Sequence, residues 1–516
     1  MNLTEKISQR LMVGIRGPIL DTETKDLLLT IKPGSVILFK RNIVSLGQVK
    51  KLIMDIKDLL PSPPLIAVDQ EGGLVARFIK GVTVFPGNMA LGATGSKDYA
   101  YRQGIITARE LKDIGVDINL APVVDVITTY HNPGITIRSF GKDSLRVSAL
   151  GASCIRGTQE MKIAAVAKHF PGKGAAEADA HLDLPVVTTS RKIFEEVHLL
   201  PFQKAIEAGV KGIMSTHIFC PNLDQKEKRP ATFSPQIVHH YLRDRFHFPG
   251  VIFSDDLEMG AIAKHFPIGD ACIQAVLSGH DMLLICSDYD KQRAGLAALQ
   301  NACQNSLLPI KELDESVARI QSLKDFCRKK PGEIPSHPEK EGSHLLSQKI
   351  AEQSIALIGN EKGLLPLRTG KEESITLIMP DLSPLDGLEE GYLPSGRHFF
   401  IKEFKKLFSG RLDTFFVPIE MNEEDIENIC HSISENSTVI AFIFDAQAYQ
   451  GQRNFLKRLQ QLENKVIPAL IRNPFDIEFL PSNDTCLITF GFRKVQLLAL
   501  LKVIFGKIKA KGRLPF

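Results

Sequence analysis

The chain has 516 residues, of which 44% are hydrophobic and 24% charged. Those proportions suit a folded protein of two or three domains and exclude a mainly disordered chain or a single small module. With 63 basic and 59 acidic residues the net charge is +4 and no dense basic run occurs, which excludes an electrostatic nucleic-acid or membrane binder. The eight cysteines are scattered with no Cys-x-x-Cys pair, so they read as reduced, buried thiols rather than a disulfide framework or zinc knuckle. Met1-Asn2-Leu3-Thr4-Glu5-Lys6 lacks the basic start and apolar stretch of a signal peptide. No apolar run approaches the ~20 residues of a membrane span. The expectation is a soluble, cytoplasmic protein.

In chain order, short β-branched runs alternate with helical spacing. The runs are Leu11–Ile15, Ser35–Phe39, Leu65–Val68, Val116–Leu120, Ala164–Ala167, Gly212–Ser215, Val251–Phe253 and Met282–Ile285. Eight parallel strands is the number that closes a (β/α)8 barrel. Polar residues follow six of the runs: Lys40-Arg41, Asp69, Asp125, Lys168-His169, His217 and Asp255. In a parallel barrel such positions converge on one mouth, where these folds keep their chemistry. Residues 331–345, within a Pro-, Gly- and charge-rich stretch starting at Arg328, read as a linker after a catalytic barrel of residues 1–330. Beyond it, Ile355–Ile358, Ile375–Met379, Thr438–Phe444, Val466–Ile471 and Leu487–Phe490 predict a second unit, an α/β/α sandwich over 346–516.

Four segments carry chemistry-bearing side chains, and each has a structural reading beside the functional one. Asp69-Gln70-Glu71-Gly72-Gly73-Leu74-Val75-Ala76-Arg77 is either a salt-bridged turn or a carboxylate and a guanidinium that grip hydroxyls. Arg138 is a loop cation, for surface or ligand. Lys168–Pro185 is a long loop at the end of the fifth run, because Pro171, Gly172 and Gly174 interrupt both strand and helix. On it, Asp179 can bond one imidazole nitrogen of His181 and raise the basicity of the other, or both can simply be solvated. Asp255 with Glu258 fits a helix N-cap box or a carboxylate placed as a nucleophile. No phosphate loop, dinucleotide fingerprint or His-Glu-x-x-His helix is present.

These segments, with Asn119-Leu120-Ala121-Pro122-Val123-Val124-Asp125 and Met214–His217, resemble glycoside hydrolase family 3, and within it the bacterial β-N-acetylglucosaminidases. Lys168-His169-Phe170-Pro171-Gly172 followed by Asp179-x-His181 is the distinguishing stretch. Ser354–Asn360 through Leu365-Pro366-Leu367, and the closing Gly512-Arg513-Leu514-Pro515, resemble the family's sandwich domain, so the similarity spans nearly the whole chain. The resemblance implies Asp255 as nucleophile and His181 as acid/base supported by Asp179. It implies Asp69, Arg77, Arg138, Lys168 and His169 as the residues that bind a terminal N-acetylglucosamine (GlcNAc). Retaining hydrolysis of GlcNAc from muropeptides in peptidoglycan recycling is the implied role, with no metal and no organic cofactor. A retaining glycosidase needs a carboxylate nucleophile and a proton donor, which here would be a histidine.

Two departures stand out. Lys173 and Ala175 occupy positions where the family usually has His and Asp, and Thr136 stands where Ile-Gly-x-Arg is common. With no Trp, any stacking on sugar falls to 29 Phe and seven Tyr. Three alternatives share the residues: phosphorolysis at the same site, aided by Lys173; a metal-dependent barrel hydrolase ligated by His169, Asp179, His181 and Asp255; and a non-catalytic sugar-binding protein.

Overall fold

Leu11 and Val13 pack outward against helices while Met12 joins an interior cluster with Ile37, Ala67, Leu120, Val166, Met214, Phe253 and Leu284. That alternation is what a barrel strand requires, since successive side chains leave opposite faces and both faces are covered. The computed structural model describes residues 1–178, 183–225, 229–331, 340–385, 396–481 and 484–516. In the first unit, β1 (Leu11–Gly14), β2 (Ser35–Leu38) and β3 (Leu65–Val68) are followed by a hairpin of β4 (Gln70–Gly72) and β5 (Val75–Ala76). Then come β6 (Ile118–Asn119), β7 (Ala164–Phe170), β8 (Gly212–Ser215), β9 (Val251–Asp256) and β10 (Met282–Ile285).

All the strands except the hairpin run parallel, and β1 pairs with both β2 and β10, closing an eight-membered ring. Each of the eight runs read from the sequence supplies one barrel strand. Helix Leu46–Leu59 shows how the outer layer is specified: Ser45 caps it and Val49, Leu52, Ile53 and Ile56 form its buried stripe. Helix Ile310–Arg328 sends Ile320, Leu323 and Cys327 into the interior cluster at the amino ends of the strands, opposite the mouth.

The second unit holds β11 (Ala356–Ile358), β12 (Ser374–Pro380), β13 (Arg411–Val417), β14 (Thr438–Ile443), β15 (Lys465–Leu470) and β16 (Cys486–Ile488). Their order is β11-β16-β15-β14-β12-β13, parallel except for β11 against β16. With its helices this is the expected α/β sandwich. β13 was not among the runs read as strands: it is an edge strand, largely half-exposed, with Arg411 and Asp413 breaking the apolar pattern. A helix at Lys340–Ser354 packs against the barrel helix Asn88–Thr94 and against Lys494–Ile504 of the sandwich.

The two units share one apolar cluster, in which Leu74, Met89, Val123, Ile135 and Ile137 of the barrel meet Phe455, Phe475, Ile488 and Phe490. Arg493 donates from Nε and Nη2 to the Gly73 carbonyl at 2.8 and 2.7 Å. The hairpin that offers this carbonyl lies close against Pro86-Gly87: Gly73 has φ 58°, and a Cβ there would meet Gly87 Cα at 3.0 Å. All eight cysteines are buried and none is in a disulfide. Among the described residues no helix is long and apolar enough to cross a membrane.

Candidate active site

A cavity of about 420 Å³ opens at the carboxyl ends of the barrel strands. Asp69 follows β3, and Glu71 lies two residues on, so both carboxylates enter the cavity from the same side of an extended segment. Lys168 and His169 are consecutive on β7 yet both line the cavity, because the strand's register shifts between Lys168 and Phe170. Arg77 comes from the end of the hairpin and Arg138 from the loop that follows β6.

These groups form one ion-pair array. Lys168 Nζ lies 2.7 Å from Asp69 Oδ1 and 2.8 Å from Glu71 Oε1. Arg138 grips the Glu71 carboxylate with two parallel bonds, Nε to Oε2 at 2.9 Å and Nη2 to Oε1 at 2.8 Å. Arg77 Nη2 reaches Asp69 Oδ2 at 3.3 Å. Burial disfavours every charge here, but the nearby opposite charges outweigh it: Lys168 and Arg77 hold the Asp69 carboxyl down at about 2. Arg138 and Lys168 likewise hold Glu71 below the usual carboxylate range. The cations are pushed the other way, above their ordinary values, by Asp69 and Glu71.

Behind the array, fully buried Asp125 fixes His169. Its Oδ2 accepts from His169 Nδ1 at 2.7 Å and from the His169 amide at 3.2 Å, while Oδ1 accepts from the Lys173 amide at 2.7 Å. Nδ1 therefore carries the hydrogen, and Nε2 faces Arg138 Nη2 at 3.4 Å. Burial pushes the Asp125 carboxyl up to about 6, against the pull of Lys173 and of these amide bonds.

Asp255 and Asp256 end β9 on the far wall. No N-cap box forms: the next helix, Gly260–Ala263, starts after Met259, and Glu258 instead accepts from the amides of Ser287 and Asp288 beyond β10. Asp255 Oδ1 accepts the Asp256 amide at 2.9 Å. Asp256 Oδ1 accepts the amides of Glu258 at 3.1 Å and Cys286 at 3.3 Å. Burial, then the charge of Glu258, pushes the Asp256 carboxyl up to about 7.

Asp69, Arg77, Arg138, Lys168, His169 and Asp255 thus converge on one cavity, as expected at a barrel mouth. The Asp69–Arg77 salt bridge of the turn reading forms within that same wall. Arg41 joins it, held by the carbonyls of Ile15 and Cys286. His217 does not: it is buried, bonded to Thr232 Oγ1 and to the Asp256 carbonyl. Asp179 and His181 lie outside the described residues. Next to them in sequence, Glu177 accepts from Thr129 Oγ1 at 3.4 Å and Asp183 faces His265 Nε2 at 3.3 Å. Among the described residues no group of three or more His, Cys, Asp or Glu is placed to hold a metal.

Three lining residues were not singled out as site residues from the sequence. Glu71 had a usable signal, its two-residue spacing from Asp69 in an extended segment. Lys173 was noted as a departure from the family pattern and as a cation that would aid phosphorolysis. Arg472, after β15, reaches the cavity from the sandwich, and no local pattern announces a docking of that kind. A larger cavity, about 1090 Å³, lies away from the mouth near the amino ends of β1 and β10, where Arg243 and Arg319 are bound to Asp281 and Arg10 to backbone carbonyls. Its charges are spent on one another, so it holds no comparable array.

Fold and site together define a two-domain (β/α)8 glycoside hydrolase. The model for the glycosyl hydrolase family 3 N-terminal domain matches residues 2–323, and the chain belongs to glycoside hydrolase family 3. A solved structure of a family 3 β-N-acetylglucosaminidase from Paenibacillus sp. str. FPU-7 superposes with a TM-score of 0.92 at 31% identity, covering 100% of this chain and 98% of that one. β-Hexosaminidase A of Pseudoalteromonas piscicida is 29% identical over 96% of this chain and 91% of its own length. The β-hexosaminidase of Nitrosomonas eutropha is 37% identical over 56% of this chain and 84% of its own.

Proposed function

We propose that the protein is an exo-acting, retaining β-N-acetylglucosaminidase that removes terminal β-linked GlcNAc. The observation that carries the reading is the convergence on one cavity of Asp255 with the buried array of Asp69, Glu71, Arg77, Arg138, Lys168 and His169. Paired charges held in fixed geometry offer both donors and acceptors to the hydroxyls of one sugar ring, and their mutual pairing keeps them ordered before substrate arrives. In the first step an Asp255 carboxylate oxygen bonds to C1 as the C1–O bond to the aglycone breaks. His181, oriented by Asp179, gives its proton to the departing oxygen. In the second, His181 takes a proton from water, the water oxygen bonds to C1 and Asp255 leaves. With a carboxylate already at the anomeric face, the acetamide is not needed as nucleophile. Muropeptides, and a place in cell-wall recycling inside the cell, are the substrate and setting that fit this reading.

The test is release of p-nitrophenol from the β-GlcNAc glycoside beside the β-glucoside. Turnover of the GlcNAc substrate, falling at least ~10³-fold in Asp255→Ala with a glycosyl-enzyme trapped by a 5-fluoro-GlcNAc fluoride, supports the reading. Undiminished turnover in Asp255→Ala sinks it. One observation favours a second reading, phosphorolysis: Lys173 lines the same cavity as Arg138 and adds a cation to its wall. GlcNAc-1-phosphate formed in phosphate buffer would identify that outcome.

A further inference from the structure

His217 follows the sixth apolar run, yet it is fully buried and does not line the active-site cavity. What it does instead follows from where the sheet stops. β8 and β9 pair from Gly212 and Val251 as far as Met214 and Phe253, and the pairing ends there. Asp255 and Asp256 lie beyond that point, so β8 gives their backbone no ladder. On the other side the β9–β10 register shifts between Met282 and Leu284, beside the same residues. A buried carbonyl in such a place needs a donor from outside the sheet. His217 Nε2 supplies it, 2.9 Å from the Asp256 carbonyl oxygen. A carbonyl only accepts, so Nε2 carries the hydrogen.

We propose that His217 is a positioning residue for the nucleophile: by holding the Asp256 carbonyl it fixes the direction from which the Asp255 carboxylate meets the anomeric carbon. The proposal rests on the reading of Asp255 as that nucleophile. Three observations carry it. The first is that the Asp255 carboxylate is tied to its own backbone, Oδ1 accepting the Asp256 amide at 2.9 Å, so it turns as that backbone turns. The second is that the next peptide, between Asp256 and Leu257, is held from both sides. His217 donates to its carbonyl from the β8 side, and its amide donates to the Leu284 carbonyl of β10 at 3.0 Å. The Cys286 amide draws Asp256 Oδ1 towards β10 as well, which leaves His217 as the opposing tether.

The third is that His217 is itself fixed. Its Nδ1 is bonded to Thr232 Oγ1 at 2.8 Å. That hydroxyl lies 3.0 Å from the Thr216 carbonyl and 3.2 Å from Ser215 Oγ. Ser215 Oγ lies 2.8 Å from His280 Nε2, and His280 Nδ1 donates to the Ala275 carbonyl at 2.9 Å. Every side chain of this chain of bonds is buried. A ring tied at both nitrogens has one orientation, and support of this kind holds a reacting group to within about 0.5 Å of its productive place. A misplacement of about 1 Å costs on the order of 100-fold in rate.

The test is labelling by 5-fluoro-GlcNAc fluoride, which separates the nucleophile from the acid/base. An Asp255 oxygen bonds to C1 as the C1–F bond breaks, and fluoride leaves with the electron pair, needing no proton from His181. The saturating rate of labelling thus reports the alignment of Asp255, and the half-saturating concentration reports binding. His217→Gln puts an amide nitrogen where Nε2 stands, whereas the side chain of His217→Asn reaches only as far as Nδ1. The saturating rate is expected to fall at least ~10-fold in His217→Asn and to stay within ~3-fold of the wild type in His217→Gln, with half-saturation changed less than ~2-fold in both. Thr232→Val, which releases the ring at Nδ1, is expected to slow labelling at least ~3-fold on its own and to add nothing to His217→Asn, because both act through one bond. Equal rates in His217→Gln and His217→Asn, both intact or both slowed, overturn the proposal, since a general loosening of the fold does not distinguish them. Where a lost melting transition removes His217→Asn from the comparison, an undiminished rate in Thr232→Val overturns it. A wild type that is not labelled on Asp255 sinks the nucleophile reading and this inference together; a labelled wild type with equal variants sinks this inference alone.

Discussion

Glu71 is the residue that lets two cations lie side by side out of water. Its Oε1 is 2.8 Å from both Lys168 Nζ and Arg138 Nη2, and its side chain is 2% exposed. Remove that charge and Lys168 and Arg138 repel each other, with Asp69 and, behind them, Asp125 left to balance them. Glu71→Gln is therefore expected to cost about 3–5 kcal/mol, the usual penalty for leaving a buried charge uncompensated. A denaturant titration checks this, and a KM for the GlcNAc glycoside raised at least tenfold should accompany it. Loss of stability below ~1 kcal/mol would mean that Asp69 and Asp125 suffice. Asp69, Lys168 and His169 were legible because each is an uncommon polar residue at the end of an apolar run. Glu71 was missed because both readings of that segment, salt-bridged turn and hydroxyl grip, turn on Asp69 and Arg77, whereas Gln70–Gly72 is extended and puts Asp69 and Glu71 on one side.

At the scale of elements, barrel strands are the easiest to read, since a parallel strand covered on both faces must be apolar along its length. β13 escaped for the opposite reason: at the sheet edge one side faces solvent, so Arg411 and Asp413 cost nothing there. Loops divide the same way. Lys168–Gly174 announced itself by Pro and Gly, but the loop that carries Arg138 did not show that Thr136 would take a left-handed backbone. That conformation costs a β-branched residue roughly 1–2 kcal/mol, while glycine pays roughly 0.5–1 kcal/mol in lost freedom on folding. The difference leaves Thr136→Gly more stable by up to about 1.5 kcal/mol, read as a higher denaturation midpoint with the same slope. A lower midpoint would show that the buried threonine side chain packs well enough to outweigh its backbone. Docking of Arg472 onto the barrel mouth had no local signature, because it depends on how two separately patterned units meet.

Over the whole molecule, two sets of buried carboxyls pull stability in opposite directions with pH. Asp69, held at about 2, and Glu71, held low by its cations, are more acidic folded than unfolded. Their contribution is present above about pH 4 and is lost as pH falls towards 2. Asp125, raised to about 6, Asp256, raised to about 7, and Asp476, raised to about 8, bind their protons more tightly folded. What they contribute is complete below about pH 4 and is lost as pH rises through those values. As far as these groups decide it, maximum stability is thus expected near pH 4, with a decline towards pH 8 driven by carboxyls that must ionise while buried. Asp256 allows the cause to be isolated. Both amides it accepts, from Glu258 and Cys286, fall on Oδ1, so an asparagine keeps them and mimics the protonated acid. Scanning calorimetry of Asp256→Asn should match the wild type near pH 4 and exceed it at pH 8 by at least ~2–4 °C, the shift that about 1 kcal/mol produces in a domain of this size. Parallel curves for the two proteins from pH 5 to 8 would place the Asp256 proton loss outside that range and leave Asp125 and Asp476 to account for the decline.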